Sequence, residues 1–521
     1  MTPQIPIDRR RFLQFSAGAI VLSSGCTPSP PQSSTSGTTG SPVTSGSGNA
    51  IGPNDPAIAA TEARRSATGN VTKHQLRAAP AKLEIGRRQV DTWAFNEAIP
   101  GKEIRAKVGD VLEVALRNDL PQDTTIHWHG LALRNDMDGV HDLTQPPIRP
   151  GETFTYKFIL PHAGTYWFHP HMGLQLDRAL YAPLIIEDPS DPARYDVDQV
   201  IVLDDWLDGI GRTPDDVLQS LAGMTMDMGP GTMGNMPGMD HSSGGMSMFE
   251  SDVLGGDAGD VDYPLHLING RPTADRPTID VPAGGRLRLR FINAGSDTAY
   301  RVAIGDHRMT VIHTDGFPVE PVEVDALLIG MGERYDVVLQ PQSGAWPLVA
   351  LAEGKTLTAE AVIRTSDAQA TEAPPAGEHP GTLDGHLLAL TELRATEAVR
   401  LGSKKPDVDH LIKITGSMMP YTWGFDGATF PNHPPLEIRS GQRVRLTFEN
   451  TTTMWHPIHL HGHTFRVGDD PAGPRKDTVN VLPGQRLAIE FDADNPGQWM
   501  IHCHNTYHLE RGMALVTSYV P

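Results

Sequence analysis

The sequence predicts an all-β chain built from three related Greek-key β-sandwich domains, and three observations carry that expectation. Short runs of alternating or β-branched residues recur along the chain, punctuated by Gly, Pro, Asn and Asp. One phrase, Gly then strand then Asn, occurs three times: around Val111 to Leu116, Arg286 to Phe291 and Arg443 to Phe448, each led by a Gly turn and followed by Asn118, Asn293 or Asn450. The copies lie about 160 to 175 residues apart, which is an internal repeat at the scale of a domain. No apolar run approaches the ~20 residues that a membrane-spanning helix needs, so a protein of several such helices is excluded.

Taken in order, residues 1–26 read as an export signal. Arg9-Arg10-Arg11-Phe12-Leu13 precedes an apolar stretch ending at Leu22 and resembles a twin-arginine leader. Leu22-Ser23-Ser24-Gly25-Cys26 resembles a lipoprotein cleavage box; the competing reading is an ordinary signal peptide with an incidental Cys. Residues 27–67 begin with Ser, Thr, Gly and Pro and read as a disordered tether that would hold the body clear of a membrane. The three sandwiches are expected at 68–190, 191–366 and 386–521. Segment 367–385, rich in Ala, Pro, Thr and Glu, is expected to be a linker.

Charge and cysteine usage narrow the function. Asp plus Glu number 63 against 43 Lys plus Arg, a net charge of −20, which repels phosphate backbones and argues against a nucleic-acid partner. The chain has only two cysteines, Cys26 and Cys503. With Cys26 in the leader, Cys503 has no intramolecular partner and needs another purpose.

The 22 histidines supply that purpose. Four clusters stand out: His127-Trp128-His129, His169-Pro170-His171, His456-Pro457-Ile458-His459-Leu460-His461 and His502-Cys503-His504. On a strand, residues i and i+2 share a face, so His502 and His504 point one way and Cys503 the other. His459 and His461 likewise share a face, and His456, an odd number away, tends to the opposite one. Parity thus yields a thiolate site on one side and a histidine-only polynuclear site between the first and third domains, if the segments converge. His508 and Met513 follow Cys503 closely enough to loop back, completing the two imidazoles, thiolate and weak thioether of a blue-copper centre. Four ligands satisfy zinc, whereas eleven strong ones are present here, so copper is favoured.

These residues resemble the multicopper oxidase family, over about residues 80–521. Asn96 to Gly101 and Arg475-Lys476-Asp477-Thr478 also match framework stretches of that family. The resemblance implies three cupredoxin-like domains and four copper ions. Type 1 copper would be held by His456, Cys503, His508 and Met513, and type 2 copper by His127 and His459. The type 3 pair would be held by His129, His169, His171, His461, His502 and His504. It further implies that electrons from a donor pass through Cys503 to His502 and His504 and reduce O2 to water. Asp138 stands where the family has its proton-delivering acid. Leu509 occupies the place of a second acid, leaving Glu510, one residue on, as a weak substitute. His463 shares the His461 face, has no slot in the pattern, and is expected to support a ligand from behind or to be structural, not to ligate directly.

Between Met224 and Met248 lie eight of the 18 methionines, interleaved with Gly, Pro, Ser, Thr and Asp and without helical or strand period. Thioethers suit Cu(I). With the lipoprotein-like leader, this insert is similar to those of bacterial copper-tolerance enzymes. Cu(I) is therefore the expected donor, with phenols or Fe(II) as alternatives, and a non-catalytic copper carrier as the third reading. The protein is expected outside the cytoplasm, in the periplasm or at the outer surface, touching membrane only through a lipid on Cys26, and monomeric.

Overall fold

The computed structural model describes residues 49–191, 194–223 and 249–521; the expected leader and the Met-rich insert lie outside them. The described chain is almost entirely β and forms three two-sheet sandwiches. Each repeats one local pattern: its opening strand pairs in parallel with the strand of the repeated phrase. The pairs are Val71–Ile85 with Val111–Asn118, Val197–Trp206 with Leu287–Asn293, and Val408–Met418 with Arg443–Asn450.

The repeated Asn has a common physical role. Asn118 donates to the carbonyls of Gln122 and Ile148 and accepts from the amide of Leu120. Asn293 donates to Thr298 and Ile329 and accepts from Gly295. Asn450 donates to Met454 and Val481 and accepts from Thr452. All three are buried, and Asn293 and Asn450 each satisfy carbonyls from a turn and from a strand of the facing sheet, while Asn118 satisfies a turn carbonyl and that of Ile148, which bridges Thr124.

Burial follows the pleat in the outer domains. In Val111–Asn118, Leu112, Val114 and Leu116 fill the first core while the alternate residues are partly exposed. Leu287–Asn293 is buried on both faces. Leu287, Leu289 and Phe291 enter the second core. Arg288 and Arg290 point oppositely and ion-pair with Asp336, and Arg290 also donates to Thr165 of the first domain. The second sandwich thus presses a paired, charged sheet face against the first. Asp177, Tyr263 and Tyr507, one from each domain, meet at a buried carboxylate that accepts both phenol hydroxyls, at 3.0 and 2.5 Å.

Two expected boundaries need correction. The tether does not extend to residue 67. Pro56–Glu62 is a helix capped by Asp55, with Ile58 and Glu62 turned inward at i,i+4 spacing. Glu62 accepts from the amide of Ile159, and the amide of Ile51 donates to Tyr519 O, so this stretch is fastened to the first and third domains. The linker is also longer than 367–385, because the third domain's sheets begin only at Val408. Short 3-10 turns occupy much of the intervening chain, and they bury Leu383 and Leu393 and pair Ala326 N with His386 O along the second domain.

Asn293→Ala should lower stability by about 2–3 kcal/mol, because two buried carbonyls and one amide lose their partner. Denaturant unfolding checks this.

Candidate metal centre

Strand alternation does what the sequence pattern demands. The strand His127–His129 pairs with Gly164–His169, placing His127 opposite His169. The strand His456–Leu460 pairs with Gln498–Cys503, placing His459 opposite His502 and Ile458 opposite Cys503. Imidazoles of the first domain then lie on those of the third: His127 stacks on His461 at 3.7 Å and His129 on His459 at 3.9 Å between ring centres.

The ligand atoms gather into compact groups. His129, His169 and His504 form one; His171, His461 and His502 form another; His127, His459 and His461 form a third. The Nε2 atoms of His127 and His459 are 3.4 Å apart, and those of His461 and His502 are 3.0 Å apart. On the far side of Cys503, His456 Nδ1 and His508 Nδ1 lie 3.7 and 3.6 Å from Sγ and 3.2 Å from each other. His129, His459 and Asp477 also come together, but both oxygens of Asp477 are taken by Arg334.

The second nitrogen of each ring shows how these groups are aimed. His127 Nδ1 donates to Asp138 O, His169 Nδ1 to Pro170 O, His459 Nδ1 to Asp477 O and His502 Nδ1 to Cys503 O, all at 2.8–2.9 Å. His461 Nδ1 donates to Asp138 Oδ2 at 2.9 Å. An N–H bonded outward leaves the other nitrogen's lone pair facing inward, which is the tautomer a metal needs. His129 is turned round: its Nε2 meets Asp477 Oδ1 at 3.2 Å, and its Nδ1 faces inward.

Buried and without a hydrogen-bond partner are His129 Nδ1, His169 Nε2, His171 Nε2 and both ring nitrogens of His504. Such groups are costly unless something else satisfies them, and a cation bound by lone pairs would do so. Burial, reinforced by neighbouring imidazoles, holds His169, His171, His461, His502 and His504 well below the usual histidine value, so they are neutral and ready to ligate. Burial also pushes the Cys503 thiol upward, so a thiolate there requires a cation beside it. The residues therefore fit soft, imidazole-loving metal ions.

The thiolate site is closed by a short return of the chain. Asn505 caps the helix Thr506–Glu510, its side chain accepting from the amides of Tyr507 and His508. Asp297 of the middle domain accepts from Asn505 Nδ2 at 2.8 Å and from Lys355 at 3.2 Å. Met513 is fully buried, its carbonyl accepting from Cys503 N and its amide donating to His508 O. The outer nitrogens are held too: His456 Nε2 contacts Thr452 Oγ1 and His508 Nε2 contacts Asp260 Oδ2.

Every predicted histidine ligand and Cys503 thus joins a ligand group, and Met513 lies buried beside Cys503 through its backbone. Asp138 sits beside them, with Oδ1 3.2 Å from His127 Nδ1. Glu510 and Leu509 line a narrow cavity of about 20 Å3 that also touches His169, His171, His502 and His504. His463 donates to, or accepts from, Tyr519 OH at 2.7 Å and joins no ligand group. Sequence reasoning missed Asp260, Arg334 and the role of Asp477. Only Asp477 carried a signal, the Arg-Lys-Asp-Thr stretch.

Comparison with known proteins agrees with this geometry. Three family models, each described as multicopper oxidase, match residues 78–191, 247–368 and 403–521. The chain is 46% identical over 466 residues to multicopper oxidase MmcO of Mycobacterium tuberculosis, covering 89% of this chain and 90% of that one. It is 28% identical to copper resistance protein A of Escherichia coli, covering 82% and 88%. Among solved structures, Fet3p, a multicopper oxidase that functions in iron import, superposes with a TM-score of 0.72 at 22% identity, covering 86% and 90%. The laccase of Botrytis aclada gives 0.69 at 26% identity, covering 87% and 88%.

The lowered histidines set a pH dependence for the metal-free protein. Unfolding returns them to an ordinary value near 6.5, so below that pH the unfolded chain binds more protons than the folded one. Stability should be level above about pH 7 and fall steadily as the pH drops below 6.5, which denaturant unfolding at pH 7.5 and 5.5 would show.

Proposed function

Because this chain belongs to the multicopper oxidase family, we propose that it binds four copper ions and that its donor is Cu(I), serving copper tolerance outside the cytoplasm. Type 1 copper is assigned to His456, Cys503, His508 and Met513, and type 2 copper to His127 and His459. One type 3 ion is assigned to His129, His169 and His504, and the other to His171, His461 and His502. When bound, copper supplies one-electron oxidation of the donor and four-electron reduction of O2 to water.

The observation that carries this reading is the position of Cys503. Its Sγ faces His456 and His508, while its peptide neighbours His502 and His504 each enter a different histidine triad. A single tripeptide therefore joins the donor side to both halves of the oxygen side by covalent bonds. Asp138 lies next to that side, its Oδ2 accepting from His461 Nδ1. Glu510, exposed beside the narrow cavity, is the second point of proton entry, in place of the acid that Leu509 replaces.

Support for Cu(I) comes from the Met-rich stretch between Met224 and Met248, the acidic surface, and the relatives named for copper resistance. Phenols and Fe(II) remain the second reading, favoured by the likeness to laccases and to the iron-import oxidase. The leader supports export with a lipid on Cys26, and the protein is taken to act as a monomer.

Oxygen uptake by the copper-loaded full chain, supplied with Cu(I) or a simple phenol, tests the donor. Deleting Met224 to Met248 should depress Cu(I) turnover selectively; equal loss or no loss with both donors would favour the laccase-like reading, and no uptake with any donor a copper carrier. Cys503→Ser should remove the intense blue thiolate absorption and turnover while leaving the far-ultraviolet circular dichroism unchanged; retained blue colour would overturn the type 1 assignment.

A further inference from the structure

Among the described residues, the ligand groups draw histidines and Cys503 from the first and third domains and none from the second. Yet one loop of the second domain, Gly330-Met331-Gly332-Glu333-Arg334, is pressed against the cluster. A Cβ on Gly332 would lie 2.9 Å from His504 Cδ2 and 3.0 Å from His129 Cε1, so its bare backbone touches two rings of one triad. Its φ of +83° is a second reason for glycine there.

Arg334 ends this loop with no exposed surface. Its two terminal nitrogens donate to the two oxygens of Asp477 at 2.7 and 2.6 Å. The guanidinium is itself fixed, Nε donating to Thr165 O of the first domain at 3.1 Å and Nη1 to Gly332 O at 3.0 Å. Asp477 Oδ1 in turn accepts from Thr478 Oγ1 at 2.9 Å and faces His129 Nε2 at 3.2 Å.

We propose that Arg334 is a positioning residue for the trinuclear site: by clamping Asp477 it fixes His129 with Nδ1 turned towards the metal. The inference rests on the copper-oxidase reading above. His127, His169, His459 and His502 are aimed by backbone carbonyls, which their own strands and turns hold in place. His129 is aimed by side chains, its Nε2 lying 3.2 Å from both Asp477 Oδ1 and Thr478 Oγ1, and the carboxylate, which also accepts from that hydroxyl, needs a support of its own. Lys476 cannot supply it, being paired with Asp315 and Glu333 at 3.2 and 3.1 Å. A bidentate fork is a property of arginine; lysine offers a point charge that cannot hold both carboxylate oxygens in plane.

The test uses Arg334→Lys and Arg334→Gln in the copper-loaded full chain. Copper per chain, the blue thiolate absorption, and the electron paramagnetic resonance of the type 2 ion are measured together. The expected result is unchanged thiolate absorption, roughly 10- to 100-fold weaker retention of copper at the histidine-only site, and an altered type 2 signal, with Arg334→Lys the milder variant. Normal copper content and an unaltered signal, with only a lower melting temperature, would reduce Arg334 to a structural tie and overturn the proposal. A measurement without a variant guards against misfolding. In the fully reduced, diamagnetic protein labelled with nitrogen-15 histidine, His129 should show a protonated Nε2 and a metal-bound Nδ1, and the reverse would overturn the proposal. A parent protein that takes up no copper would defeat the oxidase reading as well, whereas a normal parent with indifferent variants defeats only the role of Arg334.

Discussion

The structure depends on keeping a crowd of neutral imidazoles dry and correctly turned. A buried histidine has two nitrogens to satisfy, and a site built for metal must leave one of them bare. Here the outer N–H groups of His127, His129, His169, His459, His461 and His502 find fixed acceptors, either a carbonyl or the carboxylates of Asp138 and Asp477. Those acceptors sit on strands and turns of the fold, so the rings are aimed before any cation arrives. Stacking of His127 on His461 and of His129 on His459 then makes the interface between the first and third domains the floor of the site.

The middle domain contributes support instead of ligands. Its asparagine bridge, Asn293, repeats those of Asn118 and Asn450, so the scaffold is the same. What differs is the use of its sheet face, where Arg288 and Arg290 bury their charge against Asp336 and, through Arg290, reach Thr165. A buried ion-pair network of this kind adds little net stability but is costly to break on one side only. It therefore fixes the second domain against the first.

Much of this was legible in the sequence because it follows from period two. The parity of His502, Cys503 and His504 divides a strand's ligands between two faces whatever the surrounding fold, and the opposite register of Ile458 with Cys503 repeats that division in the neighbouring strand. The Gly–strand–Asn phrase was legible for a similar reason: a buried Asn at a strand end is rare without a backbone to satisfy. Contacts that depend on packing were not legible. Asp260 lies in a Gly- and Asp-rich stretch that reads as a turn, and only the fold brings it to His508. Arg334 looks like an ordinary polar residue opening a strand until Asp477 arrives from 143 residues away. The helix Pro56–Glu62 was hidden by the Ser- and Gly-rich composition before it, although Ile58 and Glu62 carry the one-sided spacing of a docked helix.

The separation of His127 from His459 by 332 residues has a consequence for how the protein is made. The amino-terminal half can be synthesised with four of the cluster's histidines in place, and the group of His127, His459 and His461 is complete once His461 is made, yet the groups that use His502, Cys503, His504 and His508 cannot close until the chain through the Asn505-capped helix has left the ribosome. A chain stopped short of Cys503 would be a well-formed sandwich with an open wound of unpaired imidazoles. Full metal capture therefore waits on the last ligand-bearing segment of the chain.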